Sequence, residues 1–142
     1  MNEYTFSELT VGRKETFTRR ITKEMEDGFR EISGDENPLH KDDDFAREAG
    51  KGKYAGHVAF GMLTASFYST LAGMYLPGRY SLIHSFEELS FLKPVFVGDL
   101  LTVTGEVFEK EEAFGLIRVK AVIRNQYGNA VSRAKMKILV LK

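Results

Sequence analysis

Hydrophobic and polar positions along this chain follow two different periods, and the change between them divides it in two. In the first half, Lys14 to Ile21 carries Phe17 and Ile21 in an extended pattern, which predicts a strand. Thr22 is a good N-cap. Glu24 and Glu26 follow near the positive helix end, and Met25, Phe29 and Ile32 fall at helical spacing. A short amphipathic helix is therefore expected to about Ser33, ended by Gly34. Asp42 is placed to cap a second short helix through Phe45 and Ala49, broken by Gly50-Lys51-Gly52-Lys53. From about Phe60 to Leu76 the pattern is helical and apolar nearly all round, so that helix must be enclosed by other structure. Pro77-Gly78 stops it.

The second half alternates with a period of two. Ser81 to Leu92, Leu100 to Phe108, Leu116 to Asn125 and Ala130 to Leu141 read as long strands. Ile117, Val119, Ala121 and Ile123 form one face of the third. Leu116, Arg118, Lys120, Val122 and Arg124 form the other, as in an antiparallel sheet with one wet side. Val97-Gly98-Asp99 and Gln126-Tyr127-Gly128-Asn129 supply turns, and Lys93-Pro94 marks a bulge or strand end. The combination predicts an α+β fold in one domain, residues 1–142: an antiparallel sheet wrapped around one central helix. Such a sheet has exposed edges, so a homodimer or higher homo-oligomer is expected.

Composition narrows the function classes. Lys+Arg and Asp+Glu are both 20, so no global field draws the protein to nucleic acid or an anionic membrane. There is no cysteine, which excludes a disulfide framework, a thiolate metal site and a Cys nucleophile. No signal peptide is evident at the N-terminus. The uncharged stretch from Val58 to Gly78 is too rich in Gly, Ser and Thr for a membrane span. A cytoplasmic location is expected. His57 and His84 make no metal motif, and Asp42-Asp43-Asp44 reads as an acidic helix start.

Chemistry concentrates in three features. Asp35 and His40 flank a tight Asn37-Pro38 turn, where a carboxylate and an imidazole on one stiff loop can face the same small volume. Hydration of a conjugated double bond needs water deprotonated and carbon protonated, tasks that this pair suits. Gly61 opens the enclosed helix, whose unpaired N–H groups can stabilise a thioester carbonyl gaining enolate character. Ser69, two turns further on, can orient His40, Asp35 or the water.

The runs Ser33-Gly34-Asp35-x-Asn37-Pro38-Leu39-His40, Phe60-Gly61-Met62-Leu63-x-Ala65-Ser66 and Leu76-Pro77-Gly78 occur in that order. Leu89-Ser90-Phe91-x-Lys93-Pro94-Val95-Phe96-Val97-Gly98-Asp99 follows them. Together they closely resemble the MaoC-like, (R)-specific enoyl-CoA hydratase family over nearly the whole chain. The resemblance implies a hot-dog fold, homodimers with the substrate tunnel near the subunit interface, and syn addition of water to a trans-2-enoyl thioester of coenzyme A or acyl carrier protein. No cofactor or metal is implied. It maps the catalytic dyad to Asp35 and His40, the oxyanion amide to Gly61 and a supporting hydroxyl to Ser69. Many members carry His before the glycine, where this chain has Phe60, which changes the polarity of the pocket. Asn37, Phe60 and the small Ala72, three residues after Ser69, are the expected substrate-binding positions. A thioesterase and a non-catalytic acyl-thioester-binding subunit are the alternatives on the same fold.

Overall fold

The computed structural model describes residues 1–142. Strand β1 (Lys14–Arg20) leads into helix α1 (Lys23–Ser33), a single 3-10 turn (Pro38–His40) and helix α2 (Asp43–Ala49). Helix α3 (Gly61–Thr70) runs on into a π-helical turn, Leu71–Tyr75. Strands β2 (Ser81–Phe91), β3 (Leu100–Glu111), β4 (Leu116–Arg124) and β5 (Ala130–Val140) complete the chain. All five strands form one antiparallel sheet in the order β1-β3-β4-β5-β2. No helix is long and apolar enough to cross a membrane.

Local chemistry explains the element ends. The Thr22 hydroxyl accepts from the Met25 N–H at 3.2 Å, and Asp42 accepts from the Phe45 N–H at 3.0 Å, so each caps its helix as its position suggested. Gly34 ends α1 at φ +72°, a left-handed turn open to glycine without steric penalty. The Asn125 side chain accepts from both Tyr127 and Asn129, closing the turn between β4 and β5.

Alternation sets the layers. Ile117, Val119, Ala121 and Ile123 of β4 are buried with Val103, Val107, Met136 and Ile138 against Leu63, Phe67, Tyr68 and Leu71 of the helix. The opposite face of β4 holds two of its three cations in ion pairs, Arg118 with Glu87, Glu109 and Glu111, and Lys120 with Glu106, while Arg124 donates to the Gly128 carbonyl. Helix and sheet meet most closely at Gly105, where a Cβ would come within 2.5 Å of the Leu71 side chain. Leu71 is fully buried, and an extra methyl forced into such a core costs about 1–3 kcal/mol. Tyr68 adds a polar tie: its hydroxyl donates to Ser132 at 2.8 Å, and Ser132 donates to the Ser90 carbonyl at 2.8 Å. Burial pushes the Tyr68 phenol up to about 12.

Three expectations need correction. The apolar run from Phe60 to Leu76 is not one α-helix. After Thr70 the bonding widens, with the Leu76 N–H reaching the Leu71 carbonyl at 2.8 Å, ahead of a proline that has no N–H to donate. The helix is also not enclosed all round. Met62, Ser66 and Ser69, spaced i, i+4 and i+7, form an exposed stripe, because five strands cover only one side of α3 within a single chain. In α1, Ile32 is 86% exposed, while Glu26 is 2% exposed. Met25 and Phe29 do pack against the core, but the inward face of α1 continues through Glu26 and Arg30 and not through Ile32.

Candidate active site

His40 sits at the end of a loop held by its own side chains. The Asp35 Oδ1 accepts from the Asn37 N–H at 2.9 Å, and the Asn37 Oδ1 accepts from the Leu39 N–H at 2.9 Å. Two successive Asx turns thus lead into the 3-10 turn, with Pro38 fixing its first residue. Arg30 donates to the His40 carbonyl at 3.1 Å, tying the turn to α1. The Val58 N–H donates to the Leu39 carbonyl at 2.9 Å. The imidazole Nδ1 lies 2.7 Å from the Val58 carbonyl. A carbonyl can only accept, so Nδ1 carries the proton and Nε2 keeps its lone pair in the neutral ring. Phe60 packs on the imidazole with ring centroids 4.4 Å apart and further fixes its plane.

Gly61 begins α3, and its N-cap Phe60 offers no side-chain acceptor. The first amides of a helix have no partner within it, so the positive end of α3 is available to a ligand. The Phe91 ring lies 3.2 Å from where a Cβ on residue 61 would stand, so glycine lets the aromatic wall approach this backbone. Between these features is a cavity of about 310 Å³ whose walls include His40, Tyr54, Gly61, Thr64, Phe91 and Lys93. An imidazole with a free nitrogen, a helix-start amide and a mainly apolar wall can polarise a carbonyl and move a proton on a bound acyl group.

The cavity therefore brings together two of the residues singled out from sequence, His40 and Gly61. Asp35 and Asn37 are exposed on the loop and do not line it. Ser69 lies on the open stripe of α3, away from the cavity wall. Phe60 is buried behind the imidazole, and Ala72 is buried in the core within the π turn. His57 is held by Asp43, whose Oδ1 accepts from the His57 backbone N–H at 2.8 Å and lies 2.6 Å from Nδ1. These bonds hold the Asp43 carboxyl below its usual range.

Two polar groups near the site escaped the sequence reading. Thr64 stands three residues after Gly61, a spacing that returns to the same helix face. Glu26 reads from sequence only as a charge near the positive end of α1; it is buried, and neither carboxylate oxygen finds a well-formed hydrogen bond. Burial pushes its carboxyl above the usual range, against the opposing pull of the Phe60 amide, His57, His40 and Arg30. A carboxyl whose folded value is raised favours the protonated form in the fold. Its contribution to stability falls as pH rises from the ordinary value of 4.5 through the raised one. Glu26→Gln is therefore expected to melt above the wild type at neutral pH, with the difference vanishing below about pH 4. A variant that melts lower at pH 7 would show that the Arg30 attraction outweighs burial.

The sequence profile of the MaoC like domain matches residues 7–127. The (R)-specific enoyl-CoA hydratase of Aeromonas caviae is 40% identical over 99 residues, which is 70% of this chain and 71% of that protein. The 3-hydroxybutyryl-CoA dehydratase of Methylorubrum extorquens is 36% identical over 104 residues, 73% of this chain. That alignment spans 64% of the Methylorubrum protein, just under two thirds of its length. Among solved structures, an unliganded (R)-hydratase from Pseudomonas aeruginosa superposes with a TM-score of 0.87 at 30% identity, over 97% of this chain and 86% of that one. The (R)-hydratase of Aeromonas caviae involved in PHA biosynthesis gives 0.85 at 32% identity, over 93% and 97%. The five-stranded antiparallel sheet packed on a central helix is thus the hot-dog fold of (R)-hydratases, and with its profile matched over most of its length the chain belongs to the MaoC-like domain family.

Proposed function

We propose that this chain is a hydro-lyase for the (R)-specific hydration of trans-2-enoyl thioesters and the reverse dehydration of (R)-3-hydroxyacyl thioesters. The observation that carries the reading is the cavity shared by His40, with its proton fixed on Nδ1, and the unpartnered amino end of α3 at Gly61. The thioester carbonyl accepts from the Gly61 N–H, which draws electron density from the conjugated double bond. His40 Nε2 takes a proton from water as the water oxygen bonds to C3. The negative charge moves onto the carbonyl oxygen, where the helix end stabilises it. The proton held on Nε2 then passes to C2, which completes the addition and returns the ring to its neutral form.

Asp35 shares the water with His40 in this scheme. Its place on the same stiff loop supports the role, with Oδ1 engaged by the Asn37 amide. Ser69 supports the site from the exposed stripe of α3. The same helix meets β2 at Gly61 beside Phe91 and at Tyr68 beside Phe86, and β2 is an edge strand with Leu82 54%, Phe86 41% and Phe91 50% exposed. A second copy of the chain covers this surface in a homodimer, bringing new walls to a cavity that Phe91 already borders. Either coenzyme A or acyl carrier protein can present the acyl group.

The test is loss of enoyl absorbance when pure protein is added to crotonyl-CoA, longer enoyl-CoAs and enoyl-carrier-protein thioesters, with the product resolved on a chiral phase. Turnover to the (R)-product, by a species of twice the 16.1 kDa chain mass in light scattering, is expected. Release of free thiol from saturated acyl-CoA without hydration would make the chain a thioesterase. Binding without turnover would make it an acyl-thioester-binding subunit.

A further inference from the structure

Two aliphatic hydroxyls near the start of helix α3, on Thr64 and Ser66, are treated differently. The Ser66 hydroxyl donates to the Leu63 carbonyl at 2.6 Å, the ordinary way for a helical hydroxyl to satisfy itself. Thr64 does not do this. It is 2% exposed, and its Oγ1 is buried with no hydrogen-bond partner. An orphaned buried hydroxyl is costly enough that native structures rarely keep one without a use.

Its position shows what the use is. Thr64 lines the same cavity as His40 and Gly61. Side chains on an α-helix lean toward its amino end, so the Thr64 side chain leans back toward the first turn, which Gly61 opens. Gly61 has no Cβ to screen it. The Thr64 backbone N–H is already bonded to the Phe60 carbonyl at 3.2 Å. Thr64 thus brings an uncommitted hydroxyl to the cavity wall one turn from the amide of residue 61. Building on the hydratase reading, we infer that Thr64 is a catalytic residue whose Oγ–H donates to the substrate's thioester carbonyl oxygen, completing with the Gly61 N–H a two-donor oxyanion hole. A carbonyl oxygen has two lone pairs and can accept both bonds. The oxygen gains negative charge as water adds, so both bonds strengthen in the transition state. The inferred donor raises turnover more than it tightens binding.

Thr64→Val keeps the shape and removes the hydroxyl, and Thr64→Ser keeps the hydroxyl and removes the methyl. With crotonyl-CoA, Thr64→Val is expected to lose about 10- to 100-fold in kcat, less than the loss typical of a main oxyanion donor. KM should stay within about threefold, and Thr64→Ser should recover most of the rate. Difference infrared spectra with bound butyryl-CoA, which has no double bond to hydrate, provide a readout independent of turnover. The thioester C=O stretch should lie lower on wild-type and Thr64→Ser protein than on Thr64→Val. Unchanged kcat, or a fall in kcat with an unchanged C=O stretch, would overturn the assignment; the second result would put the hydroxyl on the water. If the wild-type protein binds butyryl-CoA but hydrates nothing, the hydratase reading has failed. The stretch comparison still decides whether Thr64 contacts the carbonyl.

Discussion

His40→Ala is expected to lower kcat by about 10²- to 10⁴-fold, the range for loss of a positioned general acid–base group. The size of the effect follows from how the ring is held. Nδ1 is spent on the Val58 carbonyl, so only Nε2 is free to exchange protons with a bound molecule. The ring also packs on Phe60, so alanine removes a contact as well as a base, and activity alone does not separate the two. His40→Asn does: its side-chain amide can occupy the place of Nδ1–H and donate to the Val58 carbonyl, but it offers no basic nitrogen at the place of Nε2. If Nε2 is the working atom, asparagine loses as much rate as alanine while melting closer to the wild type. An asparagine variant with near wild-type turnover would remove His40 from the chemistry. Asp35→Asn tests the other half of the pair. Its side-chain oxygen can still accept from the Asn37 amide, so the Asx turn survives. A loss comparable to that of His40→Asn would place the carboxylate at the same water.

The strands were legible because alternation along Ile117 to Arg124 directly encodes which side of a sheet is dry. The loop around His40 was legible for a similar reason, since Asp, Asn and Pro at these positions have few ways to satisfy their backbone other than the turns observed. Placement around the cavity was harder to read. Periodicity says which face of α3 is apolar, but not which part of that face one chain covers, so Ser69 looked enclosed and is exposed. Ala72 follows Ser69 at i+3, yet the helix widens after Thr70 and Ala72 turns into the core. In α1, hydropathy favoured Ile32 over Glu26 as a buried position. Tertiary packing decided otherwise, and the groups that act on the Glu26 carboxyl, the Phe60 amide, His40 and His57, come from segments distant in sequence. Thr64 escaped notice because a threonine in an apolar helix is ordinary; only its lack of a partner sets it apart.

Gly61→Pro is expected to cost about 10²- to 10³-fold in kcat, the usual loss for one oxyanion-hole donor. The substitution deletes the N–H at residue 61 and asks little else of the helix. Proline is favoured at the first helical position, where its missing donor would have had no intrahelical partner. The preceding residue must be extended before a proline, and Phe60 already is, at φ −60° and ψ 122°. The remaining steric load falls on Phe91, whose ring lies 3.2 Å from the new Cβ position and is half exposed, so it can move aside. Gly61→Ala carries that steric load while keeping the amide, and the ratio of alanine to proline rates isolates the hydrogen bond. A proline variant that folds, binds acyl-CoA and turns over as fast as the alanine variant would show that the amino end of α3 does not hold the developing charge. A large gap between the two would place the developing charge on the amide that opens this helix.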